Sequence, residues 1–379
     1  MKACLYAACC VLSHATLAQQ PAPPPSSAPQ TAPASAPLAV VAQVVERPLT
    51  NIPLDAGLPL NVKVGTAFNS VTINENEGNF AATIDLRLRW RDTRLSYPAG
   101  ETPKGFREYR GAAATQRLSE IWIPDVSFFN SKDAAIESEG LRVFPDGRVE
   151  LLRRATGSFT TPFDATSFPF DKQNLFVEVA AKQSNDQVTL IALQDELNFS
   201  QASPDVAIDG WNLGFVNIRR DSTTGWYGEA SDKMMIGLGV ARKPENFIAP
   251  IYIPLLASLL IPLLAIWMNK AEGGDFKVEA FELANIIIGG LFAVIALNFT
   301  VNGEYKVIAS GDNSVTRLFG LNYLSLGVGL LVIVFMFRFH VLKKLFGQYV
   351  QEQAFIYVSW AIPTLVFGTA ITFFLVARL

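Results

Sequence analysis

Thiols are nearly missing from this chain of 379 residues: Cys4, Cys9 and Cys10 are its three cysteines, all within the first ten positions. Everything downstream must fold without disulfides, so an extracytoplasmic part would depend on its own core. Histidine is as sparse, with His14 near the N-terminus and His340 in a basic stretch far along the chain. These two shortages leave no zinc-type His/Cys spacing, and there is neither a glycine-rich phosphate loop nor a nucleophile elbow. Carboxylates are common, but no spacing singles out a catalytic pair. An enzyme is not indicated, and no cofactor or metal is implied. Charge is scarce as well, at 17% of residues against 50% hydrophobic, which points to a membrane protein. With a formal net charge of −3 the chain implies no nucleic-acid partner.

Lys2, the apolar run Cys4–Leu12 and Ala15-Thr16-Leu17-Ala18 read as a signal peptide, residues 1–18, too short to span a bilayer. Residues 19–44 form a Pro/Ala/Ser/Gln-rich linker that cannot build a core. Strands are expected next. Leu60, Val62 and Val64 alternate with polar or small residues, as do Phe80, Ala82, Ile84, Leu86, Leu88 and Trp90. Asn74–Asn79 is a turn between them, and Phe144-Pro145-Asp146-Gly147-Arg148 is a second hairpin turn, with proline presetting φ and glycine taking the awkward position. About ten strands over residues 45–244 make an all-β sandwich of immunoglobulin-like size. Residues 245–379 follow as a four-helix transmembrane domain. Its charge-free stretches Phe247–Met268, Leu283–Val301, Leu318–Phe337 and Ala354–Val376 are each long enough to cross. Lys270, Lys277, Arg338, Lys343 and Lys344 on one side outnumber Lys306, Arg317 and Arg378 on the other, which places the sandwich outside by the positive-inside rule.

Thr161–Leu175 joins the two halves of the strand region. Its Phe168-Pro169-Phe170-Asp171 centre is a stiff loop, because proline fixes its own φ and biases the residue before it. Such a loop either projects its rings onto the membrane part or packs them into the sandwich core. The segment resembles the signature loop of the Cys-loop receptor superfamily, the pentameric ligand-gated ion channels, with Thr161 and Leu175 at the positions of the two cysteines. That substitution matches the disulfide-less prokaryotic branch. Trp90-Arg91-Asp92-Thr93-Arg94-Leu95 is similar to the family's W-x-D-x-R-L strand end, and Trp122-Ile123-Pro124-Asp125 with Asn130 to its loop A. Arg242-Lys243-Pro244 followed by Pro254 matches the family's approach to its first membrane helix.

The resemblance implies a β-sandwich that binds a ligand and a pore formed by five subunits. Glu282, Asn285, Gly289, Phe292, Ala296 and Phe299 fall on one helical face at alternating spacings of three and four residues. By pattern alone the small residues there could mark helix packing; the resemblance makes this face the pore lining. It also puts Phe129, Lys182, Trp226 and Tyr227 on one side of an intersubunit ligand site and Asp85 and Arg87 on the other. A lysine in that cage opposes an ammonium ligand, leaving a neutral or anionic agonist, a small cation held differently, or no ligand; Lys182 could equally be a solvated surface residue. Phe168, Pro169 and Phe170 are expected to touch the link Asn302–Thr316, and Asp171 to pair with Arg242.

The expected whole is a homopentamer, each subunit with four identical partners, in a bacterial inner membrane with the sandwich in the periplasm. Its partners would be the lipid bilayer, a small-molecule agonist and permeant monovalent cations. Asp275, Lys277, Glu279 and Glu282 give the mouth of the second span a net negative charge, where the family's anion channels carry Pro-Ala-Arg. An anion-selective channel of the same fold and a non-conducting membrane-anchored sensor are the alternatives.

Overall fold

The computed structural model describes residues 48–55, 57–225, 228–272 and 275–378. The expected signal peptide and linker lie outside them. The alternating segments are strands: β1 Leu60–Asn74, β2 Asn79–Arg91, β3 Arg107–Arg110, β4 Val126–Phe128, β5 Ala135–Val143, β6 Arg148–Thr160, β7 Lys172–Ala181, β8 Val188–Ile191, β9 Trp211–Thr224 and β10 Ala230–Arg242. They form a six-stranded sheet in the order β3-β5-β6-β2-β1-β8 and a four-stranded sheet in the order β4-β7-β10-β9. Pairing is antiparallel except between β1 and β8. Phe80, Ile84, Leu86 and Leu88 of β2 are buried as their alternation requires. The inner faces of the two sheets meet through Phe128 of β4, edge-on to Phe159 of β6 at 5.7 Å, and Trp90 stands edge-on to Trp122 at a centroid distance of 5.9 Å.

Polar motif residues stitch this sandwich together. Asp92 is fully buried and holds Arg94 at 2.7 Å, and the same guanidinium reaches the carbonyls of Pro48, Leu49 and Asn51. Asn130 donates to the carbonyls of Thr160 and Phe176 and accepts from the Glu178 amide, tying the end of β4 to β6 and β7. Gly147 in the β5–β6 turn has φ +77°, and a Cβ there would lie 2.6 Å from the Asp92 carbonyl oxygen. Only glycine fits that turn.

Four helices are long and apolar enough to cross a membrane: Glu245–Trp267, Ala280–Glu304, Ser314–Arg338 and Gln348–Arg378, here the first to fourth spans. The second to fourth extend beyond their charge-free stretches at both ends, and the first only at its N-terminal end. The third begins at Asn313, whose side chain accepts from the amides of Val315 and Thr316. The expected link Asn302–Thr316 is accordingly short: the second span runs to Glu304 and a separate helical turn occupies Lys306–Ser310. Inside the bundle, Ser258 donates to Asn322 at 2.6 Å, and the Asn322 amide donates to the carbonyls of Leu255 and Leu318. This buried polar contact fixes the first span against the third.

Candidate functional site

The junction between sandwich and helices is built on Arg242, the last residue of β10. Its guanidinium is buried, with Nε 2.7 Å from Asp171 and both terminal nitrogens 2.8 Å from Glu75 in the β1–β2 turn. It also lies over the rings of Trp211, Phe168 and Phe247. Burial alone would lower its pKa; the hydrogen bonds to Glu75 and Asp171 outweigh that and hold the pKa above the usual arginine value. Gln173 completes the site by donating to Asp171 and to the Asp164 carbonyl. The positions of the missing cysteines, Thr161 and Leu175, are both buried, and Thr161 donates to the Asn174 carbonyl to close the loop without a covalent bond.

Phe168 packs into the membrane core, not the sandwich core. It shares a cluster with Ile251, Tyr252 and Leu255 and stands edge-on to Phe247 at 5.0 Å. Its carbonyl accepts a hydrogen bond from Ser314, at 2.7 Å, and the Tyr252 hydroxyl lies beside both. One contact therefore joins the loop to the first span and to the start of the third. Pro169 is buried beside it. Phe170 corrects the expectation. It meets Phe374 of the fourth span at 5.4 Å, because the chain turns over residues 166–169, where the Phe170 amide donates to the Ser167 carbonyl. The β1–β2 turn makes the contact expected of Phe170: Asn76 donates to the Glu304 carbonyl and accepts from the Lys306 amide. Sequence reasoning missed Glu75 and Asn76, which sit in an ordinary-looking turn whose only signal was its crowding of polar residues.

Along the second span, Leu283, Ile287, Gly290, Val294 and Val301 are buried against the other helices. At Gly290 a Cβ would come 2.7 Å from Ile261, so this glycine is the one that packing requires. Glu282, Asn285, Gly289, Phe292, Ala296 and Phe299 are all exposed, and a Cβ at Gly289 would meet nothing within 4 Å. Helix packing within the subunit thus gives no reason for that small residue. Phe292 and Phe299 are 67% and 73% exposed. At the helix start, Asp275 is held by Lys343 at 2.6 Å and Lys277 by Glu272 at 2.9 Å. Glu279 and Glu282 remain exposed with no ion pair among the described residues.

The residues expected around an agonist are divided between the sheets. Phe129 follows β4 on the four-stranded sheet and is exposed, with Lys233 Nζ 5.1 Å from its ring centre. Lys233 in turn pairs with Glu178 and Asp221. Lys182 turns to Asp125 at 3.0 Å. Asp85 and Arg87 lie on β2 of the other sheet, where Asp85 is clamped by Arg154 and Arg87 stacks on Phe199. One chain does not bring the two groups together. Trp226 and Tyr227 lie outside the described residues. Glu178, Lys233 and Asp221 were not singled out in the sequence; their meeting depends on the β7-β10-β9 register.

Comparison with known proteins places these features. Residues 45–244 match the model of the neurotransmitter-gated ion-channel ligand-binding domain. A proton-gated ion channel of Gloeobacter violaceus is 24% identical over 252 residues, 66% of this chain and 65% of that protein. The human gamma-aminobutyric acid receptor subunit rho-3 is 26% identical over 230 residues, 56% of this chain and 46% of the receptor subunit. The mouse theta subunit is 25% identical over 244 residues, 61% of this chain and 36% of that subunit. The chain thus matches less than two thirds of each relative's length. With its sandwich matched throughout and four apolar helices behind it, the chain belongs to the Cys-loop receptor superfamily of pentameric ligand-gated ion channels.

Proposed function

We propose that the protein is a homopentameric ligand-gated channel, selective for cations, in which an agonist held between sandwiches opens a pore lined by the second span. The observation that carries this reading is the six-residue face from Glu282 to Phe299, left uncovered by the helices of its own subunit. Five such faces around an axis would line a path whose cytoplasmic end carries five Glu282 carboxylates. Each second-span N-terminus contributes roughly half a positive charge, about +2.5 for five, against about −5 for the Glu282 side chains. The carboxylates win, and a ring of them attracts cations. Lys277 weakens this little because Glu272 engages it. Phe292 and Phe299, about 10.5 Å apart along the helix at 1.5 Å per residue, would form two apolar rings that close the path by excluding water.

The protein would sit in the bacterial inner membrane with its sandwich in the periplasm. The link after the second span touches the sandwich through Lys306, and the more basic links lie at the opposite ends of the helices. Phe129, Lys182, Trp226 and Tyr227 would face Asp85 and Arg87 of the adjoining subunit. Lys233 already occupies a face of Phe129, so an ammonium ligand would meet a like charge. A neutral or anionic small molecule fits better.

The test is a ligand screen on protein reconstituted into planar bilayers. The reading predicts agonist-dependent unitary currents. A well-formed pentamer that passes no current with any ligand would favour a membrane-anchored sensor.

A further inference from the structure

The register of β1, β2 and β6 sets like charges opposite one another. Lys63 pairs across with Arg89, and Arg91 with Arg148. Residues directly opposite in adjacent strands have their Cβ atoms about 5 Å apart, close enough for like charges to destabilise the sheet. All four cations line one cleft of about 410 Å³, walled by Pro59, Phe144 and Asp195. The volume is that of a small-molecule site.

The acidic residues of the cleft offset Arg148 and Arg89 but leave Lys63 and Arg91 unmatched. Asp146 is taken by Arg148 at 2.7 Å, and Asp195 lies 3.5 Å from Arg89, which also contacts Glu196. Glu150 turns to Arg142 at 3.4 Å. Lys63 and Arg91 have no ion pair among the described residues, and the buried Arg89 Nε has no hydrogen-bond partner. The two rows of cations are separated by two residues along the strands, about 7 Å. That suits an anion with two charged groups or one compact polyanionic group. Asp85 lies six residues down β2 from Arg91, about 20 Å, and does not line this cleft.

We propose that this cleft is a binding site for a small anion bearing carboxylate or phosphate groups, held between Lys63, Arg89, Arg91 and Arg148. Bound there, the anion would relieve the part of the Lys63–Arg89 and Arg91–Arg148 repulsion that Glu150 opposite Arg89, Glu196 and Asp146 leave. The cleft adjoins the expected agonist face, since Arg87 lies two residues along β2 from Arg89 and shares Glu196 with it, but neither Arg87 nor Asp85 lines it, and the proposal does not depend on whether the protein conducts.

The experiment is thermal unfolding of the full-length protein in detergent, with succinate and inorganic phosphate as probes and sodium chloride at matched ionic strength as control. Either probe should raise the midpoint saturably, by about 2–4 °C, and the larger shift identifies the preferred chemistry. Lys63→Gln and Arg91→Gln should each remove the shift, while their own midpoints without anion stay level with wild type or rise. Lys63→Arg should keep the shift. The proposal is overturned if neither probe exceeds chloride, if both glutamine variants respond like wild type, or if they melt lower than wild type without anion. Should the glutamine variants fail to fold, a shift that wild type and Lys63→Arg both lack has the same force.

Discussion

Arg242 brings two carboxylates and three aromatic rings to one buried point, and its removal would strand Asp171, which is 2% exposed. Breaking a buried ion pair from one side costs about 3–5 kcal/mol. Arg242→Gln should therefore lower the unfolding midpoint or prevent assembly, and adding Asp171→Asn should recover part of the loss by removing the unpaired charge. Size-exclusion profiles and melting curves of the single and double variants check this; a single variant as stable as wild type would contradict it. Phe168 and Phe170 separate by the same reasoning. Phe168→Ala empties a fully buried site and should cost about 3–5 kcal/mol. Phe170→Ala removes a half-buried contact with Phe374, so the pentamer should persist while opening probability or its ligand dependence changes. Unchanged gating in Phe170→Ala would make that contact merely structural. The pairing of Asp171 with Arg242 was legible because each stands in a motif of its own. Glu75 was not, because nothing in Asn74–Asn79 beyond its polarity signals a partner far along the chain.

At the scale of elements, alternation and hydropathy located strands and spans well, since both follow from burial with a fixed period. Helix ends were not legible from hydropathy: the third span starts at the Asn313 cap, ahead of its charge-free stretch. Periodicity put Gly289 and Ala296 on one face of the second span but could not say whether small residues there mark helix packing. The structure leaves Gly289 open and sets Gly290, off that face, against Ile261. Gly290→Ala should accordingly destabilise the bundle, whereas Gly289→Ala should leave stability within about 0.5 kcal/mol, as surface changes do. Thermal melts in detergent distinguish them, and equal losses would contradict the assignment. For the two proposed aromatic rings, Phe299→Ala should widen the ring nearer the sandwich and produce current without agonist. Strictly agonist-dependent opening in both Phe299→Ala and Phe292→Ala would remove these residues from the gate.

The described residues form one sandwich set on four helices, and the proposed work of the molecule appears only when copies meet. Of the residues proposed to hold an agonist, Phe129 and Asp85 with Arg87 belong to two different sheets of each chain, and the exposed face of the second span is left uncovered by the helices of its own subunit. That division could not be read from residues one chain at a time, and it is why the ligand face was the least legible part of the sequence. Asp275 is neutralised by Lys343, so the negative mouth rests on Glu279 and Glu282, of which only Glu282 stands on the helix. The decisive measurement is the reversal potential of reconstituted channels under a potassium chloride gradient at neutral pH, for wild type and Glu282→Gln. The account predicts a wild type reversing near the potassium potential and a variant displaced from it towards zero. A wild type that reverses near the chloride potential, or a variant indistinguishable from wild type, would contradict it.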